Sequence, residues 1–461
     1  MSMFFFFKFK EPFIRKFSIT GLYGYKNIEM TFDDPVKILV GENGSGKTTI
    51  LNCLYYTLKQ KFDSLSKIRF SRIKIEFNHE KFLEFGKEEI EAIVEREKEF
   101  QNTPFYRSIS QQLTPKDIAE LQRIIYSGKS EIEQTKLIVS YIRKLGFNFK
   151  SPSFYIYNNV KRLVHEYMAI SLEHRLEILD DVLKSDIFYY PTYRRIESAL
   201  VNFQEISKKI SEINPFMEKI DLSKLFNSDD IQFGMDDVKK RIDNVTDIIY
   251  QKTMNGFSSI MGDMLSQLSK TIKSDEIKYN FDKKLIQIIL DRLNDKIKPA
   301  DKESIMAYAT SEKLNNPNLN FLIAKLVSLY EEQKQYDKAI KCFRDTCNHY
   351  LNDKKFVYNE SSIDLYVESH FNNERLDLEC LSSGEKQIVS LFAKLYLEID
   401  KSFIMLLDEP ELSLSVTWQE RLMPDIVHSN KCDFLLAVTH SPFIFNNELE
   451  ECAQSLSDFI K

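Results

Sequence analysis

The sequence predicts an α/β fold in which a mixed sheet with flanking helices is split by a large helical insertion. A glycine-rich stretch, GENGSGKTT, begins at Gly41 between an apolar strand-like run, VKILV, and a helix-like run, TILNCLYYTL. Two further apolar runs, FIMLL and FLLAV, lie near the C-terminus and are typical of strands buried on both faces of a parallel sheet. The long stretch between these parts is mostly polar with helical spacing, which indicates the insertion.

The composition limits the class of protein. The 461 residues are 43% hydrophobic and 29% charged, enough for several domains of about 150 residues each. A net charge of −6 provides no general attraction to nucleic acid. The six cysteines include no CxxC pair, which argues against a zinc site or a disulfide framework. No apolar run reaches the roughly 18 residues of a membrane span, so we expect a cytoplasmic protein without a membrane partner.

Changes in character along the chain predict five segments. Strand-like stretches dominate at first, helix-like sequence follows, and a short β-type run, DIFYYPTYRRIE, begins at Asp186. The predicted segments are an N-terminal lobe with the glycine-rich loop (1–86), a first helical insertion (87–185), a return strand (186–197), a second, partly coiled-coil-like insertion for oligomerisation or partner binding (198–351), and a C-terminal lobe (352–461).

The second insertion is expected to be a compact helical subdomain. Apolar residues recur at helical spacing from Val238 to Ile249. Gly256, Pro299 and Pro317 are expected to interrupt the helices, which argues against one long coiled-coil arm.

The glycine-rich stretch matches the phosphate-loop pattern GxxxxGK[ST], with a strand before it and a helix after it. Glycines let the backbone N–H groups turn toward phosphate oxygens, and the N-terminus of the following helix adds positive potential. Lys47 supplies a cation for the β- and γ-phosphates and Thr48 a hydroxyl for Mg²⁺, so ATP and Mg²⁺ are the expected cofactors. The residues expected to bind ATP are Gly41, Asn43, Gly44, Ser45, Gly46, Lys47, Thr48 and Thr49.

Polar side chains follow the two C-terminal apolar runs. Asp408 and Glu409 end the first run, where Asp408 is expected to join Thr48 in holding Mg²⁺ and Glu409 to orient or deprotonate the attacking water. His440 ends the second run and is a candidate sensor of the γ-phosphate. The alternatives are that the two acids cap a loop and that the histidine is a structural hydrogen-bonding residue.

A second anion-binding turn is predicted at LSSGEKQ, which begins at Leu381. A serine and a glycine precede a helix-like run, and the N-terminus of a helix binds anions. The residues of this turn are Ser382, Ser383, Gly384 and Glu385.

Together these motifs resemble those of the ABC-type ATPase head. The resemblance implies that LSSGEKQ is the family's signature motif, which acts in trans on the ATP of a second copy in a head-to-tail dimer. It also implies a D-loop at Ser413 and Leu414, and it places Lys26, with Tyr25, beside the nucleotide. The family's Q-loop glutamine has no assigned counterpart in this sequence.

The segment YYPTYRRIE occupies roughly the place of the Q-loop segment in such a head. Tyr193, Arg194 and Arg195 could therefore couple nucleotide to the insertion. Structural pairing of the two arginines with acids is an equal alternative.

Three stretches narrow the resemblance: YYPTYRRIE, FRDTCNHYLNDKKFVYNE and THSPFIFNNELEE. They resemble stand-alone ATPases of bacterial anti-phage defence, first the AriA family of the PARIS system and next the PtuA family of Septu and retron systems. This resemblance implies a homo-oligomeric sensor that holds a separate Toprim-type nuclease, such as an AriB-like toxin, and releases it in an ATP-dependent way when a phage-encoded trigger binds. The alternative is a DNA-repair or DNA-tethering ABC ATPase of the RecF, Rad50 or SMC type.

Overall fold

The computed structural model describes the chain in two compact units. The first unit comprises Met1–Tyr190, Phe403–Pro410 and Asp433–Lys461, and the second comprises Pro191–Ser402 and Glu411–Cys432. The segment predicted as a C-terminal lobe, 352–461, therefore contributes to both units. The described residues are 11–42, 44–95, 113–147, 151–191, 234–268, 282–293, 296–311 and 315–461.

An antiparallel sheet opens the first unit. Its strand order is β2-β1-β4-β5, and buried and exposed side chains alternate along its strands because one face packs on the core. Its strands are β1 (Ile14–Leu22), β2 (Lys26–Thr31), β4 (Arg72–Phe77) and β5 (Phe82–Gly86).

The central sheet of the first unit joins strands from distant parts of the sequence in the order β12-β3-β11-β10-β6. The pairings of β3 with β11 and β12, and of β10 with β6, are parallel. Every residue of β10 is buried, which confirms the strand predicted from FIMLL. The predicted α/β fold split by helical sequence is confirmed. The strands are β3 (Val36–Val40), β6 (Asp186–Tyr190), β10 (Phe403–Asp408), β11 (Cys432–Thr439) and β12 (Ala453–Ser455).

Helices complete the first unit, and four of them (α3 to α6) surround a separate apolar cluster. Their starts follow from local sequence: Thr114 and Ser130 cap α4 and α5 in capping boxes. The helices are α1 (Lys47–Leu58), α2 (Phe62–Leu65), α3 (Lys87–Val94), α4 (Pro115–Ile125), α5 (Glu131–Lys144) and α6 (Ser153–Val182).

The second unit combines helices with a three-stranded antiparallel sheet of order β7-β8-β9. Its helices are α7 (Met235–Leu268), α8 (Lys283–Arg292), α9 (Pro299–Ala309), α10 (Pro317–Asn348), α11 (Ser383–Leu397) and α12 (Val416–His428). Its strands are β7 (Lys354–Asn359), β8 (Asp364–Ser369) and β9 (Arg375–Leu376).

The expectation that Gly256 interrupts a helix is wrong, because α7 continues through it to Leu268. A Cβ atom at Gly256 would lie 2.2 Å from Cδ1 of Leu329 in α10. The glycine therefore permits close packing of two long helices, which outweighs its low helix propensity. Pro299 and Pro317 do delimit helices, since each begins one at the position where proline needs no backbone donor.

Several predicted features lie outside the described residues: Asn43, and the end of the expected return strand with Tyr193, Arg194 and Arg195. Of the expected return strand, 186–197, the structure describes β6 and Pro191. Within the described ranges, no helix is both long enough and apolar enough to cross a lipid bilayer.

Candidate nucleotide site

The phosphate loop connects β3 to α1 in the first unit. Gly44 and Gly46 have φ angles of +76° and +103°, a left-handed conformation that side-chain-bearing residues rarely adopt. Gly46 is the N-cap of α1, and within the described residues it makes no side-chain cap hydrogen bond to that helix. The backbone N–H groups of this turn are thus positioned for an anion rather than for a protein cap.

Lys47 is buried and its ammonium group lies at the centre of the loop. Its Nζ atom donates to the carbonyl oxygens of Gly41, at 2.7 Å, and Glu42, at 3.0 Å. It also lies 2.7 Å from Nε2 of His440. An ammonium group can only donate, so Nε2 is the acceptor in this contact.

The next two residues of α1 anchor the loop to neighbouring elements. Thr48 donates from Oγ1 to Oδ1 of Asp408 at 2.8 Å, and Asp408 is fully buried at the end of β10. Oγ1 of Thr49 lies 2.5 Å from the hydroxyl oxygen of Tyr23. Tyr23 also lies against Gly46, where a Cβ atom would be 3.5 Å from its ring. The motif search missed Tyr23, although its place between the glycines of the turn GLYG could have indicated it.

Glu409 follows Asp408 at the carboxyl edge of the sheet. Its φ angle of +49° is unusual for a residue other than glycine, and its N–H donates to the carbonyl oxygen of Val438 in β11 at 2.9 Å. Its Oε1 lies 3.5 Å from Nε2 of His440. The strained backbone therefore places the carboxylate beside the histidine.

Lys26, which the resemblance places beside the nucleotide, lies against the phosphate loop. Its Nζ donates to the carbonyl oxygen of Ser45 at 3.1 Å and lies 5.7 Å from the ring centre of Tyr25. Tyr25 is 72% exposed and presents an open aromatic face.

These residues fit Mg²⁺ and ATP. Thr48 and Asp408 offer the oxygen ligands that Mg²⁺ prefers, and Lys47 offers a cation for the phosphates. The hydroxyl oxygen of Ser45 is buried in the loop and makes no hydrogen bond within the described part of the chain, so a donor remains for a ligand. When bound, ATP supplies the phosphoanhydride bond and Mg²⁺ neutralises phosphate charge.

The signature turn lies in the second unit and begins α11. Oγ of Ser382 accepts from the N–H of Glu385 at 3.4 Å, and Oε2 of Glu385 accepts from the N–H of Ser382 at 2.6 Å. This reciprocal pair is a capping box. Ser383 begins the helix with an exposed side chain.

The predicted D-loop contacts this turn within the second unit. A Cβ atom at Gly384 would lie 2.7 Å from the carbonyl oxygen of Ser413 and 3.3 Å from Cζ3 of Trp418. Ser413 itself has a φ angle of +69°, and Leu414 is buried. Only glycine allows the two segments to approach so closely.

Lys354, at the start of β7, is a second residue that sequence reasoning missed. Its Nζ donates to both carboxylate oxygens of Glu385 at 3.2 Å. Both side chains are largely buried. The only hint in sequence was its position in the stretch FRDTCNHYLNDKKFVYNE, which carries the defence-family resemblance.

Comparison with protein families gives one match over nearly the whole chain. The family described as the AAA ATPase domain matches residues 13–445. The chain belongs to this family. No curated protein matches the chain.

Three solved structures of SMC head domains share low similarity with this member of the family. One is an Smc head bound to the C-winged helix domain of ScpA, with 11% identity over 94% of this chain and 91% of that chain and a TM-score of 0.34. The second, from Pyrococcus furiosus, has 13% identity over 94% and 91% and a TM-score of 0.33. The third, from Pyrococcus yayanosii, has 14% identity over 94% and 93% and a TM-score of 0.30. At such low identity the likeness does not extend to activity or partners.

Proposed function

We propose that the chain hydrolyses ATP with Mg²⁺ at a site completed by a second copy, and that this cycle controls a separate effector in anti-phage defence. The observation that carries the ATPase part is the convergence of chemistry-bearing side chains at one sheet edge of the first unit. Lys47 and Thr48 open α1, Asp408 and Glu409 follow β10, and His440 follows β11. Ligands bind at this edge of parallel sheets.

Each side chain has a role that its contacts support. Glu409 acts as the base or orients the attacking water, with His440 beside it as the sensor of the γ-phosphate. Nζ of Lys47 contacts Nε2 of His440 and two loop carbonyl oxygens. Phosphate oxygens would compete for this ammonium group and so change what His440 contacts. Lys26 and the exposed ring of Tyr25 lie beside the nucleotide in this proposal.

The signature turn of a second copy completes the site. Within its capping box, the hydroxyl oxygen of Ser382 accepts from the backbone of Glu385, which leaves its O–H free to donate. A hydroxyl donor at the N-terminus of a helix suits the γ-phosphate of the other copy. The contact between Gly384 and Ser413 supports joint movement of the signature and the D-loop, including Leu414, at the interface between the two copies.

The effector part of the proposal rests on the resemblance to defence ATPases of the PARIS type. The helical segments between β5 and β6, and between β6 and β7, offer surfaces for homo-oligomerisation and for a separate Toprim-type nuclease. A phage-encoded trigger would act on that assembly. A cytoplasmic location agrees with six free cysteine thiols. Co-purification of a nuclease encoded beside this gene, lost on addition of a trigger with ATP, is the expected result for this part.

Glu409→Gln tests the ATPase part. Loss of the carboxylate should lower turnover by about 10²- to 10⁴-fold while ATP remains bound, since the base acts in the chemical step. Steady-state phosphate release and nucleotide binding by the full chain measure the two effects. Glu42→Gln, an exposed acid of the loop, is the matched control and should keep its turnover. Unchanged turnover in Glu409→Gln would remove Glu409 as the base.

The alternative function is DNA repair or tethering of the RecF or SMC type. It predicts salt-dependent binding of duplex DNA and ATPase activity that rises when DNA is added. The net charge of −6 favours the protein switch. DNA-stimulated turnover in the purified chain would reverse that preference.

A further inference from the structure

A cleft lies in the second unit beside the signature turn. It has a volume of about 380 Å³ and is lined by α7, by the β7-β8-β9 sheet and by the 3₁₀ turn Leu378–Cys380. Ligand clefts have volumes of about 300–1,000 Å³. None of its lining residues belongs to the nucleotide site described above.

The floor of the cleft is apolar. Phe356, Leu365 and Val367 are buried beneath it, and Leu376 is half-buried at its side. Ile363 also lines the cleft and has a φ angle of +54°. A β-branched residue in this conformation is strained, and such strain concentrates at functional positions.

The rim is acidic. It carries five acidic side chains, Asp236, Asp243, Asp364, Asp377 and Glu379, against two basic ones. Asp364 is neutralised by a pair of 3.0 Å hydrogen bonds from Arg375. Within the described ranges, no ion pair involves Asp236, Asp243 or Asp377. Glu379 pairs with Lys386, which leaves three acids, Asp236, Asp243 and Asp377, against Lys239. The cleft therefore presents an excess of negative charge around an apolar centre.

We propose that this cleft docks a partner protein through a short segment with apolar side chains flanked by lysine or arginine. An apolar centre within a polar rim is the usual arrangement of a protein interface. Complementary charge decides between partners, and the excess of acids selects a basic segment and disfavours an acidic one. The acidic groups come from three different elements, α7, β8 and the turn Leu378–Cys380 with its N-cap Asp377, so they can meet basic side chains spaced along a segment.

The cleft is also connected to the signature turn, both by a hydrogen bond and by the chain itself. Glu379 lines the cleft and accepts from Nζ of Lys386 in α11 at 2.5 Å. The turn Leu378–Cys380 leads directly into Leu381 and Ser382. Docking of a partner would thus affect the position of the signature turn. This coupling, unlike the binding itself, rests on the proposed function.

Peptide binding to the full-length chain tests the docking site. The probe is a fluorescein-labelled short peptide of alternating lysine and leucine, followed by fluorescence anisotropy, with an alternating glutamate and leucine peptide as the counter-probe. We expect the lysine peptide to bind, with affinity that falls as salt rises. The double variant Asp236→Lys and Asp243→Lys should weaken binding about tenfold or more. Asp247→Lys, an exposed acid of the same helix outside the cleft, should bind as the wild type does.

A second variant separates the site from general charge. Ile363→Asn should raise the thermal midpoint of unfolding, because asparagine tolerates the left-handed conformation. It should also weaken binding of the lysine peptide, because an apolar contact is removed. The proposal would be overturned if the lysine and glutamate peptides bound equally well. It would also be overturned if Asp247→Lys and the double variant lost affinity for the lysine peptide to the same extent. ATP turnover measured on the same samples reports separately on the proposed function, since the anisotropy experiment needs no nucleotide.

Discussion

The two turns predicted to bind anions in this chain begin helices in different ways. The N-terminus of α1 has a glycine N-cap without a side-chain cap in the part of the chain that the structure describes, and a buried lysine donates to two carbonyl oxygens of its loop. The N-terminus of α11 is closed by its own capping box between Ser382 and Glu385. The first turn leaves its backbone donors to a ligand, whereas in the second the N–H of Glu385 is already paired with Ser382, and the Ser382 hydroxyl and the N–H groups of Ser383 and Gly384 remain as donors within the described residues.

The difference suggests that the two turns have different roles in binding ATP and in hydrolysing it. A turn with uncapped N–H groups and a buried cation suits tight binding of a triphosphate. A turn that is already capped keeps its helix start without a ligand, and its remaining donors suit a contact that forms only when a second copy closes. Affinity is thus expected to depend on the first turn and turnover on the second.

Lys47→Ala should have the largest effect on affinity. Removing the cation leaves phosphate charge without its main partner, and we expect ATP affinity to fall about 100-fold or more. Calorimetric titration with ATP measures it, with circular dichroism to verify the fold. Lys26→Ala, which removes a cation bound to a single loop carbonyl, should cost less than about tenfold. Wild-type affinity in Lys47→Ala would remove the distinction between the turns.

Gly384→Ala should impair turnover while sparing affinity. The added Cβ atom would lie 2.7 Å from the carbonyl oxygen of Ser413, so the signature or the D-loop must shift. Overpacking costs about 1–3 kcal/mol, which equals a loss of roughly 5- to 160-fold in turnover when it falls on the step in which the signature acts. Gly262→Ala, in α7 with open space around it, is the matched control. Loss of ATP affinity to the same extent as turnover would contradict the assignment of the signature turn to catalysis.

Lys354→Ala should give a smaller loss, because Lys354 acts on the turn only through Glu385. We expect turnover to fall about three- to tenfold at unchanged ATP affinity, and Lys354→Arg to recover part of it. Lys355→Ala, which breaks the neighbouring pair with Glu368, controls for lost charge on β7. A change in affinity instead of turnover would place Lys354 in a structural role.

Local sequence was sufficient to predict what depends on contiguous residues. The phosphate loop, the buried strand before Asp408 and the serine that begins the signature helix all follow from spacing and residue type. The positive φ angle of Glu409 and the contact between Lys47 and His440 could not be predicted in this way, since both depend on the packing of β10 beside β11.

Long-range packing explains the remaining differences. Gly256 appeared to end a helix because its neighbour Leu329 is distant in sequence, and only the tertiary contact explains a glycine there. Nothing near Lys354 in sequence indicates that Glu385 lies within 3.2 Å of it, so their contact could not be predicted. The acidic cleft was likewise invisible, since its charged rim comes from residues 236 to 379.

The central claim is that one copy binds the nucleotide and another copy's signature completes the site. It is tested most directly by mixing two variants that should each be inactive alone, Lys47→Ala and Ser382→Arg. In a mixed pair, one site combines an intact lysine with an intact serine, so an equal mixture should recover about a quarter of wild-type turnover in a twofold-symmetric dimer. No recovery in the mixture, or full turnover by Ser382→Arg alone, would contradict the account.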